Sequence, residues 1–145
     1  MTLANGSRVV SLPGAEGTVR GYSNVALLVI DESSRVADEL YLGVRPMLAV
    51  SGGSLVALST PAGKRGWWYE AWDGPEDWVR VRVTADQCPR ISPAFLDAER
   101  RALGLRWFRQ EYECSFEDCT GQLIPEEELQ RAFSGDVKPL FGRGA

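Results

Sequence analysis

The feature that most limits what this chain can fold into is the run Val25-Ala26-Leu27-Leu28-Val29-Ile30, closed at once by Asp31-Glu32. An unbroken apolar run with β-branched members reads as a strand buried on both faces, the kind found inside a parallel sheet. The two carboxylates then stand where the strand leaves the core, at the carboxyl edge, where open α/β sheets bind ligands. This is the form of a Walker B strand. In such a strand the Asp holds a nucleotide-bound Mg²⁺, directly or through water, and the Glu orients the water that attacks the γ-phosphate. A core strand capped by solvated acids has the same pattern, and the run by itself leaves both readings open.

The segment after the acids supplies a partner strand. Ser33-Ser34 can cap a helix, and Val36, Leu40, Val44 and Leu48 fall on roughly one helical face, with Pro46 kinking or ending it. Ser51-Gly52-Gly53 is a turn, and Ser54-Leu55-Val56-Ala57-Leu58 is a second buried strand that runs directly into Ser59-Thr60-Pro61. Strand, helix, strand of this length makes a βαβ unit with a right-handed parallel crossover. Parallel neighbours would bring Asp31 and Glu32 beside Ser59 and Thr60 on one sheet edge. Hydroxyls there can bond a phosphate or the attacking water. A plain helix cap after a strand would look the same.

Ala62-Gly63-Lys64-Arg65-Gly66 is not a phosphate loop. The G-x-x-x-x-G-K-[ST] pattern needs Gly where Leu58 stands and Ser or Thr where Arg65 stands. It reads as a basic turn whose Lys64 and Arg65 face solvent or DNA. Gly66 to Trp72 is an aromatic helix. Its Trp67, Trp68, Tyr69 and Trp72 suit base stacking, although the spacing of Trp68 and Trp72 suits core packing better.

Composition removes several chemistries. There is no histidine, so no His-based triad, His-ligated metal or His general base exists. The three cysteines, Cys88, Cys114 and Cys119, have no metal-site or paired spacing and read as reduced, buried thiols. A net charge of −4 does not describe a general nucleic-acid binder. No apolar run approaches a membrane span and the N-terminus has no signal-peptide pattern, so a cytosolic location is expected.

Residues 6–12 read as a short strand. Asp77 to Asp86 sets Trp78, Val79, Val81 and Val83 against Arg80 and Arg82, as a half-exposed edge strand guarded by arginines would. Ser92-Pro93 opens a helix that stops at Gly104, and Leu105 to Glu113 is a second helix with Leu105, Phe108 and Tyr112 on one side. Gln122 to Ile124 is a short strand, Pro125 to Phe133 a helix with acids in its first turn, and 134–145 a Gly/Pro-rich linker.

Taken in order, these pieces carry a resemblance. They are Asn5-Gly6-Ser7, Thr18-Val19-Arg20-Gly21-Tyr22, the strand ending in Asp31-Glu32, Leu58-Ser59-Thr60-Pro61 with Gly63 and Gly66 behind it, and Phe108-Arg109-Gln110-Glu111-Tyr112 with Cys114-Ser115-Phe116. Together they resemble the large subunit of the tailed-phage terminase, the ATPase-nuclease that pumps DNA into procapsids. The resemblance implies an α/β fold: a partial P-loop NTPase sheet of the additional-strand, catalytic-glutamate kind, with a small helical lid. It implies residues 1–86 as the C-terminal half of an ATPase core, 87–133 as the lid, and 134–145 as a linker toward an absent nuclease domain. Asp31 is then the Mg²⁺ and nucleotide-site carboxylate and Glu32 the catalytic glutamate. Ser59-Thr60-Pro61 becomes the motif coupling hydrolysis to lid motion, and Arg20 resembles an arginine finger inserted into a neighbouring subunit.

The implied cofactors are ATP and Mg²⁺ in the complete protein, held weakly or not at all here, because the family's Walker A loop has no counterpart in this sequence. The implied partners are double-stranded DNA, the portal protein, the small terminase subunit and further copies of the subunit, with no membrane. The implied location is the bacterial host cytoplasm, docked at a procapsid during packaging. Ser33-Ser34 departs mildly from the small Ala-type residues usual after the acids. Two other readings share the pattern: another P-loop motor or helicase fragment, and a non-catalytic prophage remnant that docks through its sheet edge.

Overall fold

The structure is a computed structural model that describes residues 1–14, 19, 21–118, 128 and 131–132. Its centre is a parallel pair of strands, β1 (Leu27–Ile30) and β2 (Ser54–Ala57), with Leu27 opposite Ser54 and Ile30 opposite Ala57. The crossover between them holds α1 (Asp38–Val44), continued without a break by a 3₁₀ turn over Arg45–Leu48. Pro46 explains the change of helix type, since it brings no N–H to an α-helical ladder. The tighter turn also rotates the apolar stripe. Leu40, Val44 and Met47 are buried, and Leu48, expected on that face, is only half-buried. Gly53 closes the crossover where a side chain has no room, because a Cβ there would lie 2.1 Å from the Val25 carbonyl oxygen.

One face of the strand pair is covered. Val19, Leu40, Val44 and Met47 form the core, and Leu28 and Ile30 of β1 pack against it with Leu12, Val25 and Val36. The other face is open: Leu27, Val29, Val56 and Leu58 are 41–56% exposed. This corrects the expectation of strands buried on both sides. A continuous apolar run calls for two covers, and the described residues supply one.

A second packing centre is aromatic. Helix α2 (Gly66–Asp73) comes directly after the basic turn, as expected. Its Trp67 stacks on Tyr41 of α1 at 4.0 Å between centroids and meets Trp68 edge-on. The indole N–H of Trp67 donates to the Val36 carbonyl at 3.0 Å, and its backbone N–H donates to Asp38 Oδ1 at 2.9 Å. Trp67 is thus the buried aromatic, while Trp68 and Trp72 are half-buried. Tyr69 and Trp72 lean instead on Phe116.

Helices α3 (Pro93–Leu103) and α4 (Leu105–Tyr112) pack on each other as a hairpin. Ser92 caps α3 by accepting the Phe95 N–H at 3.2 Å, and Gly104, at φ 78°, ends it and starts α4. Phe108 is buried, in contact with both the Tyr112 ring and the Arg100 guanidinium, but Leu105 is 51% exposed.

Two strand expectations are corrected. Residues 6–12 make only an isolated antiparallel bridge, Thr2 to Arg8. The alternating segment around Trp78–Val83 is extended but unpaired, and its valines and its arginines are both exposed. Val79, Val81 and Val83 are 56–92% exposed. Arg80 donates to the carbonyls of Ala71, Gly74, Glu76 and Trp78, and Arg82 donates to that of Glu113. The arginines are anchors, each satisfying backbone acceptors left by a helix end or turn. The expected strand 122–124, the helix 125–133 and the linker 134–145 lie outside the described residues apart from three helical positions. Arg20 and Cys119 lie outside them too. Cys88 and Cys114 are free and half-buried, less covered than expected. No helix among the described residues is long and apolar enough to cross a membrane.

Candidate functional site

The parallel register carries the four expected residues to one rim. Beyond Ala57 the ladder continues, with the Leu58 N–H donating to the Ile30 carbonyl at 3.0 Å. In regular parallel pairing the Leu58 carbonyl would then accept from the residue two beyond Ile30, which is Glu32. It accepts instead from the Ser33 N–H at 3.0 Å. One extra residue is therefore looped out of the ladder, a bulge at the strand's carboxyl end. Glu32 absorbs the distortion with φ 51° and ψ 40°, a left-handed conformation costly for a residue with a Cβ. The bulge turns the Glu32 side chain out to 68% exposure.

The fold holds the bulge from below. Ser33 is fully buried, and its hydroxyl donates to the Ile30 carbonyl at 2.8 Å. The Glu32 N–H donates to Asp31 Oδ1 at 3.0 Å, which folds the Asp31 carboxylate back over the turn. Ser34 and Ser59 tie the rims of the two strands together. The Ser34 N–H donates to Ser59 Oγ at 3.2 Å, and Ser59 Oγ donates to Ser34 Oγ at 2.8 Å. The serine pair after the acids thus forms the link between the acid side and the hydroxyl side.

Thr60 faces elsewhere. Its hydroxyl donates at 3.0 Å to Glu111 Oε2 of α4. Glu111 and Arg35 are the rim residues that sequence reasoning missed. Arg35 stands 3.6 Å from Glu32 and 4.0 Å from Glu111. Nothing in the sequence marks a contact between residues 51 positions apart. Arg35, three residues after Glu32 and next to a serine pair, reads in sequence as part of a helix start.

Asp31, Glu32, Ser59 and Thr60 therefore share one rim, with the Thr60 hydroxyl turned to α4, while Arg20 lies outside the described residues. Among the described residues no cluster of three or more His, Cys, Asp or Glu side chains could hold a metal by itself. The residues present do not fit a phosphate cradle. The Trp67 amide in the first turn of α2, where a phosphate would dock, is already given to Asp38, and Lys64 is paired with Asp118 at 2.9 Å.

No protein-family model matches the chain. The large terminase subunit of Escherichia phage T5 is 30% identical over 134 residues, which cover 84% of this chain and 30% of that protein. The chain thus spans under a third of the length of this curated relative. A solved mutant of the large terminase ATPase domain of Thermus phage P74-26 superposes with a TM-score of 0.49 at 19% identity, covering 67% of this chain and 46% of that one. The resemblance read from the sequence stands: the chain is similar to phage terminase large subunits.

Proposed function

We propose that this chain carries the metal-binding acid, the water-positioning acid and the coupling hydroxyls of a DNA-packaging ATPase of the terminase large-subunit type. The observation behind the proposal is the parallel pairing of β1 with β2, which puts Asp31 and Glu32 on the same rim as Ser59 and Thr60. The similarity to the phage T5 subunit supports it. In this reading the sheet is part of a P-loop-type core of the additional-strand kind. Residues 1–86 belong to that core, 87–133 to a lid, and 134–145 to a linker.

Asp31 would hold Mg²⁺ by one carboxylate, and bound Mg²⁺ would neutralise charge on the nucleotide's phosphates. Glu32 would accept a hydrogen bond from the attacking water and aim it; its outward turn on the bulge exposes the carboxylate, whose partner is the exposed Arg35 at 3.6 Å. Ser34 and Ser59 hold the two strand ends in register, so the acid and hydroxyl sides keep a fixed spacing. Thr60 passes the state of the rim to α4 through Glu111. Arg20 is assigned to a neighbouring copy's site as an arginine finger. The assembly proposed is a homo-oligomer on double-stranded DNA with the portal protein and the small terminase subunit, at a procapsid in the bacterial cytoplasm. ATP and Mg²⁺ are its cofactors. The sequence offers no glycine-lysine cradle, so turnover by these residues alone is not expected.

The test is a chimera in which this chain replaces the matching segment of the phage T5 large subunit. The chimera is expected to hydrolyse ATP, and Glu32→Gln is expected to lower its turnover by roughly 10²-fold or more, the size of a lost general base. An active chimera indifferent to Glu32→Gln and Asp31→Asn would contradict the proposal.

A further inference from the structure

Arg35 has a position that the proposed hydrolysis does not use. Its Nε faces Glu32 Oε2 at 3.6 Å, and a terminal guanidinium nitrogen faces Glu111 Oε1 at 4.0 Å. Glu111 is held on its other oxygen by the Thr60 hydroxyl at 3.0 Å, and Gln110 Nε2 donates to Oε1 at 3.1 Å. Glu32 stands at the end of β1, Thr60 beyond the end of β2, and Glu111 on α4. A closed circuit therefore runs from Glu32 through Arg35 to Glu111, on to Thr60, and back across the strand pair.

We propose that Arg35 is a positioning residue that relays the engagement of Glu32 to helix α4, with Glu111 as the receiving group and Thr60 as its return contact to the rim. This rests on the reading of Glu32 as the working acid, and gives that site a mechanical output. The chemistry suits a relay. Both ion pairs are long, and the Arg35 and Glu32 side chains are exposed, at 60% and 68%, while Glu111 is half-buried at 30%. Such pairs are weak and exchange partners readily. The forked guanidinium can face both carboxylates at once, which a lysine ammonium cannot do in the same geometry. When Glu32 turns to a water or cation, Arg35 is left with Glu111 alone. The carboxylate that holds Thr60 then carries a full counter-charge, and α4 shifts against the end of β2. Arg82 and Arg100 hold Glu113, the residue that follows the C-terminal end of α4.

The experiment uses the full chain without nucleotide, so it succeeds or fails independently of ATP turnover. Backbone amide shifts of Phe108 to Tyr112 and the methyl shift of Thr60 are compared between the parent and Glu32→Gln. They are then compared again with Arg35→Lys present in both. Glu32→Gln alone is expected to move the α4 amides and the Thr60 methyl. With Arg35→Lys, which keeps the charge but not the fork, that movement is expected to be lost. Arg35→Met serves as a second variant if the first fails to fold, with the same loss expected. Unmoved α4 resonances in Glu32→Gln would overturn the relay. So would movement of equal size whether or not Arg35 is present.

Discussion

At the residue scale the molecule turns on Glu32. The extra residue between the Ile30 and Ser33 contacts to Leu58 forces a non-glycine into the left-handed region. The sequence places the two acids at the strand end correctly. It does not show the bulge, because the bulge arises from the Ser33 N–H taking the Leu58 carbonyl, a choice made across the sheet. The strain is measurable. Glycine adopts this conformation freely and alanine does not. Glu32→Gly is therefore expected to be more stable than Glu32→Ala by about 1 kcal/mol in urea unfolding, the reverse of their order in a regular strand. Equal stabilities, or alanine the higher, would show that Glu32 is not left-handed in solution.

At the element scale two contacts decide how the helices sit. Trp67 fastens α2 to the crossover through its stack on Tyr41 and its bonds to Val36 and Asp38. Replacing it with alanine removes a large buried ring and a satisfied N–H. A loss of about 3–5 kcal/mol is expected, large against the roughly 5–15 kcal/mol that holds a domain folded. A loss below about 1 kcal/mol, the size of one hydrogen bond, would mean that the aromatic centre is not formed. The hairpin of α3 and α4 carries a pH signature. The Tyr112 hydroxyl donates to Glu99 at 2.9 Å, and that bond, with burial, raises its pKa above the usual phenol range. Burial likewise pushes the Cys114 thiol up, beyond what nearby Arg82 offsets. Both groups keep their protons longer folded than unfolded. Their contribution is therefore complete below the ordinary thiol and phenol range and is lost as pH rises through the raised values. Unfolding midpoints are expected to fall on the alkaline side, and Tyr112→Phe with Cys114→Ser should flatten that fall. An unchanged alkaline limb would remove these groups as its cause.

At the scale of the whole molecule, legibility tracks the range of the forces. The parallel pair, the crossover helix, α2 and the capped helix α3 are legible because periodicity, Ser-Pro capping and Gly stops act within one element. The 77–86 segment misleads because alternation fixes which residues share a face but not whether that face is buried. Here backbone carbonyls near the ends of α2 and α4 bond the arginines, and valines and arginines alike stay exposed. The apolar character of β1 is legible, but its burial is not, since the described residues cover one face only. At the site, the acids and hydroxyls stand out by type and position. Arg35 and Glu111 do not, because only the folded chain brings α4 to the rim.

The site exists only if β1 and β2 run side by side in the same direction, so that carboxylates and hydroxyls open on one rim. Backbone proton–proton contacts measured by nuclear Overhauser spectroscopy on the full chain read this directly. Contacts joining Val29 to Val56, and Ser33 and Ser34 to Leu58 and Ser59, are the expected result. Contacts running from Ile30 and Ser33 back to Ser51 and Ser54 would make the pair antiparallel, move the hydroxyls to the opposite end, and contradict a shared rim.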